Sequence, residues 1–446
     1  MADRKKALLI SYIYPPAGGG GSPRLVRWTR AAAQAGFKPI VLTVKEVYER
    51  GKDQSLLAQV QSLARIERTE SLDPKRMAFL FQTALRRKKN VPSEKVREPE
   101  PSPTNSSAGR LWRLIQLLRN WLMVPDDLIG WMPFALCSAW KIIRREKPSL
   151  LITSSSPHSV QLIGLVLKKI SGLPWLADFR DHWAGHPYYA FPTRLHRRFN
   201  AWLEKAVLEN ADLVTFAYGL KTASRAYPRL QSKFRELSNG FCEQDFQNVQ
   251  PLPLSGFNLL FLGALYGAHS PQNFFKALQQ LREQHPELSS ELKVWMVGQF
   301  LPFDIALAKE LGLSEMVNFK PFLPHSQVFS WMLAADVLVL ILQSNLQSSV
   351  VVPGKVFEYI RAPKWILGLI PEGETAEILR AAGGALIVPG NQPEQIQAAI
   401  LELHRRWKQG EKPLRDMSYV MSKEENCLNQ QMQNLLASLL EKKIPS

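Results

Sequence analysis

Cysteine is scarce in this 446-residue chain: Cys137, Cys242 and Cys427 are its only three. They are too few and too scattered for a disulfide framework, and no C-x-x-C spacing offers a zinc or redox site, so a reducing cytoplasm suits the chain. Long apolar runs are missing as well. No uncharged, continuously apolar stretch reaches the roughly 18–20 residues that a spanning helix needs. The nearest approach, Leu128 to Trp140, is short and interrupted by Pro133. An integral membrane protein is therefore not expected. The apolar run after Lys5 and Lys6 has no small-residue cleavage site behind it and leads into glycines, so it reads as a first strand rather than a signal peptide. There is no GxxxxGK[ST] loop, which disfavours a nucleoside triphosphatase. An Asp-x-Asp dyad or a His/Asp cluster at metal-ligand spacing is also lacking, and no metal or other cofactor is expected.

Acidic residues fall short in one half only. Residues 1–250 hold 39 Lys+Arg against 21 Asp+Glu, whereas residues 251–446 hold 17 against 18, so the whole net charge of +17 belongs to the first half. This asymmetry suggests two domains with different partners, the basic one facing phospholipid, nucleic acid or a phosphorylated substrate. Nucleic acid is the poorest of these, because neither a recognition motif nor an interleaved aromatic-basic pattern is present.

What the chain does contain is core material, with 46% hydrophobic residues, and enough length for two or three domains. Apolar, β-rich runs lie at 7–14, 39–44, 149–156, 175–181, 213–218, 258–263, 293–298, 337–342 and 385–390. Helix-length segments separate them, as in parallel sheets covered on both faces, and the class is α/β. The polar stretch 242–256, with Pro251 and Pro253, is the best linker. The expected organisation is an N-terminal Rossmann-like domain over 1–245, a linker over 246–256, a C-terminal Rossmann-like domain over 257–415, and a last helix within 416–446 that packs back toward the N-terminal domain. Rich in Pro, Ser and charge, 86–109 reads as a mobile insertion.

Four places could carry chemistry. After the first strand, Gly18 to Gly21 let a ligand approach the backbone, with Ser22 as a helix cap and Pro23 in the first turn. Such a loop presents N–H groups to an anion, or is simply a flexible connection. In WLADFRDHW, Asp178, Arg180 and Asp181 stand at a strand's C-terminal end, where open α/β sheets bind ligands. They form either a structural ion pair or a site that orients a hydroxyl and neutralises phosphate. His158 closes a similar strand end, as a substrate contact or a structural residue. In VVVPGKVFEYI, Gly354 makes the turn, Lys355 can face a diphosphate and Glu358 can accept from a ribose diol; a solvated Lys–Glu pair is the alternative.

Taken together, the segments 14–44, 129–136, 153–183, 261–278 and 351–379 resemble the retaining glycosyltransferases of family 4, in particular the subgroup with a family-4-like N-terminal domain found in bacterial surface-polysaccharide pathways. The resemblance implies the GT-B architecture, two Rossmann-like domains facing across a cleft. A nucleoside-diphosphate sugar would bind mainly to the C-terminal domain and a lipid- or polysaccharide-linked acceptor to the N-terminal one, without a metal. It carries donor-side roles over to Gly19, Gly20, Gly21 and Glu358; Gly263, Gly298, Gly354 and Lys355 complete the expected donor-binding set, and Arg180, Asp181 and His158 are the expected catalytic residues, Arg180 on phosphate charge and Asp181 or His158 on the acceptor hydroxyl. Three departures stand out. The family's pair of glutamates is represented by Glu358 alone, with Val350 at the first position. Gly263 is followed by ALYGAHS, leaving His269 nearest the usual basic position. Arg180 stands where many members have histidine. Diphosphate binding is thus expected to rest on Lys355 and Arg180. A sugar-nucleotide epimerase of the same fold, and a non-catalytic scaffold of a polysaccharide assembly complex, are the competing readings.

Over 110–134, Leu111, Trp112, Leu114, Ile115, Leu118, Trp121 and Leu122 recur at helical spacing between Arg110, Arg113 and Arg119. Such a stripe settles in a membrane interface or packs on a core. Combined with the basic half and the implied acceptor, it predicts a cytoplasmic protein held peripherally on the inner face of the plasma membrane.

Overall fold

The structure, a computed structural model, describes residues 5–17, 21–45, 54–73, 76–77, 121, 123–183, 191–265, 270–342 and 349–441. Its contacts divide the chain into two units, Met1–Leu237 together with Asn429–Ser446, and Ser238–Leu428. The arginine-flanked stripe up to Arg119, the 86–109 segment, Gly19, Gly20 and His269 lie outside the described residues.

Unit 1 is built on a seven-stranded parallel sheet. Its strands are β1 (Lys6–Ile10), β2 (Lys38–Val44), β3 (Arg65–Thr69), β4 (Leu150–Ser155), β5 (Trp175–Phe179), β6 (Leu213–Phe216) and β7 (Phe234–Glu236). They are arranged in the order β3-β2-β1-β4-β5-β6-β7. The central strands are apolar throughout because helices cover both faces. Leu8, Ile10, Leu42, Leu151, Ala177 and Val214 meet in one core, each such burial worth roughly 1.5–3 kcal/mol for a Leu- or Val-sized side chain. Order reverses between β1 and β4, and the loops after these strands frame the crevice position at which doubly wound sheets take ligands.

The first strand stops at Ile10, four residues short of the predicted end. Beyond it the tyrosines leave the ladder for side-chain partners: Tyr12 donates to Asp73 (2.7 Å), and the Tyr14 hydroxyl lies 3.0 Å from that of Thr29. Burial pushes the Tyr14 phenol up to about 12. Pro133 does not interrupt its segment either. It sits in the first turn of helix Met132–Glu146, where a missing N–H is tolerated.

Unit 2 repeats the plan with six parallel strands, β8 (Phe257–Ala264), β9 (Leu292–Gln299), β10 (Val317–Lys320), β11 (Val337–Ile341), β12 (Trp365–Leu369) and β13 (Ala385–Val388), ordered β10-β9-β8-β11-β12-β13. Phe257, Leu259, Phe261, Val294, Val339 and Leu367 anchor its separate core. Ser238 to Phe246 belongs to this unit. Arg361 makes a bidentate ion pair with Glu243 and lies 5.1 Å from the Phe246 ring centroid. The part of the helix Glu425–Glu441 that belongs to unit 1, from Asn429 on, contributes Gln433, which donates to Gln34 at 3.0 Å. Both units thus have the α/β, Rossmann-like organisation expected from the sequence.

Candidate active site

Two clusters stand at the C-terminal edges of the two sheets. The first begins where helix α1 (Ser22–Gln34) starts. Gly21 is its N-cap, and Ser22 is the first helical residue rather than the cap, its hydroxyl donating to the Ala17 carbonyl. Gly21 has φ −86°, so left-handed backbone is not the reason for glycine. Space is: a Cβ there would overlap the Arg180 guanidinium. Arg180 donates from Nε to the Ser155 carbonyl (2.9 Å) and from a terminal nitrogen to the Ser156 carbonyl. The structure therefore brings Gly21 and Arg180 together, a cation beside the N-terminal end of a 13-residue helix, where the dipole favours an anion.

Asp181 lies in the same cluster and accepts from the Ser156 hydroxyl (2.8 Å) and the Tyr218 phenol (2.8 Å). Ser156 and Tyr218 were not singled out in the sequence; each closes a predicted strand run, which is the signal that could have found them. His158 is only 2% exposed, and its ring stacks on Trp183 with centroids 4.9 Å apart. Immediately after it, helix α2 (Ser159–Ser171) is capped by Asp126, which accepts from the Ser159 N–H (2.8 Å) and hydroxyl (2.9 Å). Desolvation raises the Asp126 carboxyl despite these bonds.

Asp178 resolves to the structural alternative. It is fully buried against Arg24, which the sequence reading passed over, with Nε–Oδ2 at 2.9 Å and a terminal nitrogen–Oδ1 at 2.6 Å. Ser154 and Thr215 donate to it at 2.6 Å each. Burial alone would raise this carboxyl; the Arg24 charge and these hydrogen bonds more than offset it and hold the carboxyl below the usual range.

The second cluster forms around the end of β8. Past Phe261, β11 no longer pairs with β8. Side chains of helix α3 (Lys355–Arg361) take its place: the Leu262 N–H donates to Tyr359 (3.2 Å), and Lys355 Nζ donates to the Leu262 carbonyl (2.7 Å). The Lys355 ammonium lies 4.0 Å from the Phe261 ring centroid and beside Gly263. Gly298 pairs with Gly263 across β8–β9 at φ +145°, and a Cβ there would overlap the Gly263 carbonyl. Lys355, Gly263 and Gly298 are thus brought together, with Glu358 one turn beyond Lys355 and Gly354 open to solvent at the helix start. Lys355 makes no salt bridge among the described residues. Desolvation pulls its ammonium down to about 7, against the weaker upward pull of Glu358. The solvated Lys–Glu pair is not what forms. The backbone on either side of Val350 is held by a bond from Thr375 to the Val351 carbonyl (2.6 Å) and by the tight approach of Gly373 to Ser349.

Two doubly wound parallel sheets of this kind define the GT-B fold of glycosyltransferases. Residues 243–417 match the family Glycosyl transferases group 1, so unit 2 carries a domain of that family. Over 96 residues, 20% of this chain, the sequence is 32% identical to the D-inositol 3-phosphate glycosyltransferase of Streptomyces avermitilis, and the chain spans about a fifth of that relative's length (21%). Among solved structures, sucrose-phosphate synthase from Thermosynechococcus elongatus aligns over 99% of this chain and 100% of its own, with TM-score 0.64 and 15% identity. The apo lipopolysaccharide outer core galactosyltransferase WaaB aligns over 97% and 99%, with TM-score 0.55 and 13% identity. These likenesses show the shared fold.

Proposed function

We propose that the protein is a metal-independent, retaining glycosyltransferase that moves a hexose-type sugar from a nucleoside-diphosphate sugar to a hydroxyl of a lipid- or polysaccharide-linked acceptor, in cell-surface polysaccharide biosynthesis on the cytoplasmic side of the membrane. The observation that carries this reading is Lys355, a desolvated ammonium without a salt bridge among the described residues, set against Gly263 and Gly298 inside a group 1 glycosyltransferase domain. A partly buried, desolvated cation of this kind suits an anionic ligand that pairs its charge. In the transfer, the bond from the anomeric carbon to the diphosphate oxygen breaks, a bond to the acceptor oxygen forms, and the acceptor's hydroxyl proton passes to the departing diphosphate. Lys355 and Arg180 stabilise the charge that develops on the departing diphosphate, a preorganised electrostatic role otherwise available to a metal ion. Glu358 accepts from the ribose hydroxyls. Asp181, held by Ser156 and Tyr218, orients the acceptor hydroxyl, and His158 supports that wall through Trp183. The lipid-linked acceptor is supported by the basic N-terminal half and by the likeness in fold to a galactosyltransferase of the lipopolysaccharide outer core.

The test is a panel of nucleotide sugars measured by thermal shift with and without EDTA. A true donor at a hundred times its dissociation constant stabilises the fold by about 2.7 kcal/mol. One nucleotide sugar is expected to do so equally with EDTA present; stabilisation by none would sink the reading, and a strict magnesium or manganese requirement would sink its metal-free part. Turnover of that sugar only when an acceptor is supplied separates transfer from epimerisation.

A further inference from the structure

We propose that the outward face of helix α4 (Arg194–Asn210) in unit 1 docks the protein on an anionic phospholipid surface. The inference rests on the proposed function for its lipid-facing orientation, so its test reads vesicle binding and donor binding separately.

The helix buries one side in the ordinary way, through Asn200, Glu204, Val207 and Leu208. Its opposite side should be polar, and it is not. Leu195, Phe199 and Trp202 recur at spacings of four and three, on one stripe, and are 73%, 44% and 59% exposed. The Phe199 and Trp202 rings stack on each other at 5.6 Å rather than on the core. Beside the first turn, Trp121 is 53% exposed and meets the His196 ring edge-on at 4.8 Å.

The charges around this stripe select the occupant. Arg194, Arg197, Arg198 and Lys205 are all exposed on the same helix, and no acidic residue stands in its first turn. Three arginines at the start of a helix oppose the macrodipole, an arrangement that costs stability in water and is relieved by external anions. An apolar stripe with tryptophan, bordered by arginines, matches a bilayer surface whose anionic headgroups lie above an apolar interior. A second copy of the chain fits less well. The exposed parts of these four side chains come to on the order of 400 Å², taking about 150–250 Å² for each aromatic, about half of one partner's share of a standard interface. The arginines of two such faces would also repel.

The experiment is co-sedimentation of the full chain with phosphatidylcholine vesicles containing or lacking phosphatidylglycerol. It compares the wild type, the triple variant Leu195→Gln, Phe199→Gln, Trp202→Gln, and the charge variant Arg194→Gln, Arg197→Gln, Arg198→Gln. The wild type is expected to sediment with anionic vesicles at low salt and to be released as salt rises. Each variant should bind at least about tenfold more weakly, while retaining the wild-type melting temperature and the thermal shift given by the donor. A separate variant, Arg110→Gln, Arg113→Gln, Arg119→Gln, tests the stripe predicted from the sequence over 110–134. Wild-type protein that stays in the supernatant, a triple variant that sediments normally, or binding abolished only by the 110–119 variant would overturn the proposal. So would dimerisation through this face, seen in sedimentation equilibrium as a dimer that the triple variant loses. Loss of donor shift with vesicle binding intact would instead count against the proposed reaction alone.

Discussion

Each sheet holds a desolvated charge near its C-terminal edge, Asp178 fully buried and Lys355 partly so, and the two are satisfied in opposite ways. In unit 1, Asp178 is surrounded by donors: a bidentate arginine, a serine and a threonine, all within the same fold. In unit 2, Lys355 has a main-chain carbonyl and the face of a phenylalanine, with no salt bridge among the described residues. The first is a charge used up by structure, and its carboxyl is held low. The second is a charge left available, and its ammonium is pulled down toward neutrality. The difference teaches that proximity of a carboxylate and a guanidinium on a strand end does not mark a site. Incomplete neutralisation does.

The sharpest way to break this comparison is to remove a partner from the satisfied charge. Asp178→Asn strands the Arg24 cation in the core and is expected to cost about 3–5 kcal/mol, lowering the melting temperature of unit 1 by about 10 °C. The effect should also appear when the wild type is acidified: a carboxyl depressed in the folded state contributes stability above its unfolded pKa and loses it as pH falls. If Asp178→Asn melted like wild type, the structural role assigned to the pair would be wrong. A smaller effect, and one without a stability signature, belongs to unit 2. Glu358→Ala should leave the melting temperature unchanged and weaken donor binding by roughly 1.5–3 kcal/mol, read as a ten- to hundredfold rise in dissociation constant by calorimetry. Unchanged affinity in that variant would reduce Glu358 to a surface residue. The smallest effect on function is that of Gly21→Ala. Because the overlap is with the mobile end of Arg180, the side chain can swing away at under about 1 kcal/mol, yet turnover should fall about tenfold as the guanidinium is displaced.

Much of this was legible in the residues. Strands with continuous apolar runs, such as LLITSS in β4 and VLVLI in β11, announced themselves, as did the glycine turn before α1. Three of the four edge strands, β3, β7 and β10, did not. RIERT in β3 and VNFK in β10 carry at least as many polar as apolar side chains because one flank has no neighbouring strand, and their pairing is decided by tertiary contact rather than by pattern. WILGL in β12 is apolar enough to be seen, but it follows the Lys355 motif so closely that it read as part of it. At the site, the sequence placed Lys355, Gly263 and Arg180 at strand or helix ends, which is where they lie. It could not distinguish Asp178 from Asp181, since their fates depend on Arg24 and Tyr218, over 150 and nearly 40 residues away in the chain. Nor could it foresee an apolar stripe on the solvent side of α4, because helical spacing alone does not say which face is covered.

The central claim, that Lys355 is held partly discharged until an anionic diphosphate restores its proton and pairs its charge, is tested most directly by calorimetry of nucleoside-diphosphate binding between pH 6 and pH 9 in buffers of different ionisation enthalpy. A lysine whose folded pKa is near 7 is largely neutral at pH 8, and a bound diphosphate raises that pKa again. Binding should therefore take up close to one proton at pH 8, and the dissociation constant should rise about tenfold per pH unit above 7. Lys355→Met, which subtracts any ionisation of the nucleotide itself, should bind weakly at every pH and take up none. An affinity that does not change between pH 7 and pH 9, with no proton uptake by the wild type, would contradict the account.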